Sequence, residues 1–75
     1  MSTFFTTNLY DLVRQIKLDG TPKKIEINSD RVEVTLNTGS ELVFDTTGVP
    51  EEKAPVFEPV LKQAFKGARI VDNRG

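Results

Sequence analysis

Seventy-five residues with 37 % hydrophobic and 28 % charged side chains fit one folded domain, and exclude both a disordered chain and a multidomain one. Ten Lys and Arg against eleven Asp and Glu leave a net charge of −1, which provides no general attraction to nucleic acid or anionic lipid. Cysteine and histidine are both absent, so disulfides, structural zinc and the commonest nucleophilic and acid–base chemistries are closed to this chain.

Met1 to Thr7 carries no basic residue and no long apolar stretch, so it does not read as a secretory signal. No segment approaches the roughly 18 apolar residues of a membrane span, and the expected location is the cytoplasm. Residues 1–6 and 72–75 are expected to be flexible ends of a single domain spanning 1–75. Phe4 and Phe5 precede the first helix, where one of them can pack against it as a hydrophobic staple.

Leu9, Leu12, Val13 and Ile16 fall at i, i+3, i+4 and i+7, which predicts a helix over Leu9 to Leu18 with one apolar stripe. Thr7 or Asn8 can cap it, Asp11 and the pair Arg14 and Lys17 suit its dipole, and Gly20 stops it. Tyr10 sits beside the stripe and is expected to be partly exposed.

After Pro22 the period changes to two. Ile25 and Ile27 alternate in Lys23 to Ile27, Val32, Val34 and Leu36 in Arg31 to Leu36, and Leu42 and Phe44 in Glu41 to Phe44. Each strand therefore has a buried and a wet face, and the short turns at residues 28–30 and 37–40 make consecutive strands pair as hairpins. The wet face would show Lys24, Glu26, Arg31, Glu33, Thr35, Glu41 and Val43.

Asp45 to Lys53 is polar. Phe57, Val60, Leu61, Ala64 and Phe65 then repeat the helical stripe. Proline is tolerated only in a first helical turn, so Pro55 and Pro59 place the start of this helix near Val56, after a separate turn at Pro50 to Ala54. Gly67 closes it. Ala68 to Val71 is β-prone and short enough to serve as an edge strand. The fold class is α+β in two layers, α-β-β-β-α: a three-stranded antiparallel meander, to which the C-terminal run could add a short edge strand, with both helices on the apolar face.

Catalytic arrangements are scarce. Phe44-Asp45-Thr46-Thr47-Gly48 approximates the Asp-Thr-Gly loop of aspartic proteases, but an extra threonine breaks the spacing. The simpler reading is a polar exit from the third strand with Asp45 bonding its own turn. Glu51, Glu52 and Glu58 follow no Ca²⁺-loop spacing and suit a helix start for dipole reasons alone. The glycines stand singly, so no phosphate-cradling loop exists. No catalytic residue, metal ligand or cofactor is therefore expected.

The candidate binding residues are Lys62, Lys66, Arg69 and Arg74, the one local basic cluster, which could meet a phosphate backbone or an acidic surface. Cations at a helix C-terminus also complement the dipole without further function. An RNA-binding sheet would carry aromatics on its wet face, where this one carries charges and Val43. The leading expectation is a non-enzymatic interaction or regulatory domain that docks on a protein partner or on itself through open sheet edges. The alternative is a nucleic-acid-binding module using the basic cluster. In size, balanced charge and lack of a catalytic set the chain resembles accessory proteins of phages and mobile elements.

Overall fold

The computed structural model describes residues 2–74. In chain order it contains β1 (Ser2–Phe5), α1 (Leu9–Asp19), β2 (Pro22–Ile27), β3 (Arg31–Leu36), β4 (Glu41–Asp45), a 3-10 segment (Glu51–Val56), α2 (Phe57–Ala64) and β5 (Arg69–Asp72). The predicted meander is present as β2-β3-β4, with Ile25 opposite Val34, Val34 opposite Leu42 and Val32 opposite Phe44. It is the centre of a five-stranded mixed sheet in the order β1-β4-β3-β2-β5, so a purely three-stranded description is corrected.

The outer strands come from the ends of the chain that the sequence reading left loose. β1 lies parallel to β4, with Phe4 beside Phe44, and β5 lies parallel to β2, with Ile70 beside Ile25. Beyond β5 the Asn73 amide donates to the Ile27 carbonyl at 2.8 Å. Residues 2–5 and 72–73 thus take part in sheet pairing, while Met1 and Gly75 lie outside the described residues. Parallel strands cannot be joined by a tight turn. The chain meets this requirement with two crossovers, β1-α1-β2 and β4-α2-β5, each passing the two strands that separate its ends.

Helix α1 forms where the period predicted it. The Asn8 side chain accepts from the Asp11 amide at 2.9 Å, which satisfies one of the unpaired donors of the first turn. Gly20 ends the helix with φ of 150°, a backbone conformation that L side chains rarely adopt, and its amide donates to Ile16 O at 3.0 Å. The second helix begins within one residue of the predicted start near Val56, after a separate turn as expected. Residues Glu51–Val56 wind as a 3-10 segment, and the α-helical pattern begins at Phe57, so that Pro59 falls in the first turn, where its missing N–H costs nothing.

Alternation in the strands sends Ile25, Ile27, Val32, Val34, Leu36, Leu42 and Phe44 to one face, where Leu12 and Ile16 of α1 and Phe57 and Leu61 of α2 close over them as one core with Phe65. Among the described residues nothing forms a layer over the opposite face of the sheet. It carries the predicted Lys24, Glu26, Arg31, Glu33, Thr35, Glu41 and Val43, to which the outer strands add Thr3, Phe5, Arg69 and Val71.

Candidate functional site

Of the four predicted basic residues, Lys62 and Arg74 both stand beside the Glu58 carboxylate, while Lys66 and Arg69 lie toward the start of β5. Lys62, on α2, is half of an ion pair whose Nζ lies 2.9 Å from Glu58 Oε1. Lys66 is in the exposed turn after α2, and Arg69 opens β5 next to it. Arg74 lies past the other end of β5 and is engaged on every side. Its Nε and Nη2 donate to the Asp72 carboxylate at 3.0 and 2.8 Å, Nη1 donates to the Ala54 carbonyl, and the guanidinium stands 5.4 Å over the Phe57 ring. These bonds hold the Asp72 carboxyl down at about 2, with the Arg74 side chain the largest cause. Arg74 clasps the C-terminal strand onto the 3-10 segment.

The sheet supplies basic neighbours that sequence spacing could not reveal. The parallel register sets Lys24 directly beside Arg69 on the open face, and an irregularity in β2 between Pro22 and Lys24 turns Lys23 outward as well. Lys23, Lys24, Lys66 and Arg69 are the cations at this corner, with Lys24 also bonded to Glu26 at 2.9 Å. Like charges placed side by side across strands cost a few tenths of a kcal/mol or more. Only the β2–β5 pairing creates this juxtaposition, so no local signal announces it.

The carboxylates are accounted for locally. Asp45 Oδ1 accepts from the Thr47 amide at 3.0 Å and from the Thr47 hydroxyl at 2.6 Å, which lowers the carboxyl from its ordinary value. A carboxylate so stabilised is a poor proton acceptor, and its geometry is that of an Asx turn leaving β4. Glu51 and Glu52 are exposed at the start of the 3-10 segment. Among the described residues no group of three or more acidic side chains is placed to hold a metal ion, and no helix is long and apolar enough to cross a membrane.

An apolar concavity lies on the helical layer. A groove of about 380 Å³ runs between the start of α1 and the 3-10 segment and α2, walled by Leu9, Tyr10, Val49, Pro50, Val56 and Val60. Its size falls in the roughly 300–1,000 Å³ range of ligand sites. Leu9 and Val60 lie at the margins of the two helical stripes, and the 3-10 turn brings Val56 alongside them. Tyr10 is 85 % exposed at the rim, and Val56 is also exposed. Lys53 is the single charged residue of the lining, and no ion pair engages it among the described residues. The sequence flagged Tyr10 as lying off the stripe, but the groove itself is produced by the packing of three segments. Comparison with protein-family models, curated proteins and solved structures finds no match to the chain.

Proposed function

We propose that this is a non-enzymatic interaction domain that docks an apolar segment of a protein partner in the groove between α1 and α2. The observation that carries the reading is the groove itself: exposed aromatic and aliphatic side chains line a concavity whose lining includes one charged residue, Lys53. A partner segment with two or three large apolar side chains fills it, and an acidic residue on that segment meets Lys53. The lack of histidine and cysteine, and the engagement of Asp45 by its own turn, weigh against an enzyme.

The test is selection of binding peptides from a displayed library against the intact domain, followed by titration monitored by amide chemical shifts. Selected peptides should be apolar with at least one carboxylate, should perturb Leu9, Tyr10 and Val60, and should lose at least tenfold in affinity against Val56→Asp or Lys53→Glu. Selected peptides that bind both variants unchanged would remove the groove as the site.

A second reading, contact with a nucleic-acid backbone, draws its support from the Lys24–Arg69 register and the neighbouring Lys23 and Lys66. Binding of this kind weakens steeply with salt through counterion release. Lys24→Glu with Arg69→Glu should abolish any DNA or RNA binding seen at low ionic strength, whereas Lys62→Glu should leave it nearly intact. The reverse order of effects would rule out this corner.

A further inference from the structure

The outer edge of β1 is short, and among the described residues it carries neither charge nor proline nor a covering segment. Thr6 donates its amide to Asp45 O at 2.9 Å, so the alternation of a strand turns the N–H and C=O groups of Phe4 toward β4 and those of Thr3 and Phe5 away from the sheet. Among the described residues nothing bonds these outward groups. Thr3, Phe4, Phe5, Thr6 and Thr7 include no charge and no proline, and Phe5 is 68 % exposed on the open face. Natural sheets normally defend such an edge with charge, proline or a cover. The β5 edge is defended, with Asp72 and Arg74 paired at its end.

We infer that β1 is a self-pairing edge, at which two copies of this chain join β1 to β1 antiparallel about a two-fold axis at Phe4 and extend one sheet across both. Centring at Phe4 is the register that pairs both outward residues within the strand, because each Thr3 then faces Phe5 of the other copy and exchanges two backbone hydrogen bonds with it. On the open face each contact is an aromatic side chain against a β-branched one, a favourable cross-strand pair. On the helical face Phe4 meets its own counterpart, with each ring already stacked on Phe44 at 5.2 Å. The occupant is a second copy because the uncharged strand is its own complement and no register of two such strands opposes like charges. So short an edge buries less than the roughly 800 Å² per partner of a standard interface, so the dimer is weak and dissociates on dilution. The inference is independent of the groove reading.

Sedimentation equilibrium of the full chain over a wide concentration range should show a monomer–dimer equilibrium. Thr3→Lys and Phe5→Lys should each weaken it at least tenfold, while Val71→Lys on the opposite edge and Val56→Asp in the groove leave it unchanged, with circular dichroism confirming that all four variants are folded. The chain has no cysteine, so the register can be read directly. Thr3→Cys mixed with Phe5→Cys should oxidise to a mixed disulfide, since paired residues lie about 5.5 Å apart at Cα, and Thr3→Cys alone should not couple to itself. A monomer at every concentration, a dimer indifferent to both lysines, a dimer lost with Val71→Lys or Val56→Asp, or the absence of the mixed disulfide would overturn the inference.

Discussion

β1 and β5 are both four-residue outer strands, parallel to their neighbours and reached by crossovers past two strands, yet they are secured by different means. β5 is pinned by side chains. Arg74 ties it to Asp72, Ala54 and Phe57, and Asn73 is hydrogen-bonded to both the Ile27 backbone and the Asn28 side chain. β1 depends on packing, through the Phe4–Phe44 stack and the seat of the Phe5 ring beside Gly48. The difference teaches that an edge closed by ion pairs is specific and defended, whereas an edge held by aromatic packing remains able to accept another strand.

The largest effect should come from removing the seat of β1. Phe44 is fully buried, so Phe44→Ala should cost roughly 3–5 kcal/mol in a denaturant melt and should free Phe4 from the sheet. A loss below about 1 kcal/mol would show that β1 does not depend on this ring.

Gly48→Ala and Arg74→Gln come next. A Cβ at Gly48 would stand 2.8 Å from the tip of the exposed Phe5 ring, so the ring must swing aside, at a cost of about 1 kcal/mol. Hydrogen exchange should rise at the Phe4 and Thr6 amides and stay constant at Val71 and Asn73. Arg74→Gln should produce the opposite pattern, with a cost of about 1–2 kcal/mol felt at Val71 and Asn73 and not at Thr6. Identical exchange patterns for the two variants would dissolve the contrast between the edges.

The smallest effect is acid sensitivity confined to β5. The Asp72 carboxyl is held at about 2, below its ordinary value, so its ionised form favours the folded state. That contribution is complete above the ordinary carboxylate range near pH 4 and disappears as the pH falls toward 2. Solvent screening at this partly exposed pair limits it to about 1 kcal/mol. Exchange at Asn73 should therefore quicken between about pH 4 and 2, after correction for intrinsic rates, and Arg74→Gln should flatten the profile.

The parts legible in the sequence are those in which neighbours along the chain determine the structure. Strict alternation in residues 31–36 and the short turns around them specify the meander, and the i, i+3, i+4 stripe with Asn8 and Gly20 specifies α1. Ser2–Phe5 was illegible because Ser-Thr-Phe-Phe has no alternation of its own, and its strand state is conferred by β4, far away in the chain. Arg74 looked like a loose tail cation because its partners, Ala54 and Phe57, are distant in sequence. The basic neighbour of Arg69 was illegible for the same reason: the register of β5 against β2 sets it beside Lys24, far away in the chain.

The two long crossovers also have a consequence for how the chain folds. The hairpins of the meander close over short turns, whereas Ser2 must find Leu42 and Ile70 must find Ile25, and the entropy of closing those loops is lost before their contacts reward it. The meander is therefore the expected nucleus, with the outer strands docking after the rate-limiting barrier. Variants at the edges should leave the refolding arm of a chevron nearly unchanged and steepen the loss of lifetime on the unfolding arm, whereas Val34→Ala should slow refolding itself. How long the domain stays folded would then be governed by its margins, and how fast it folds by its centre.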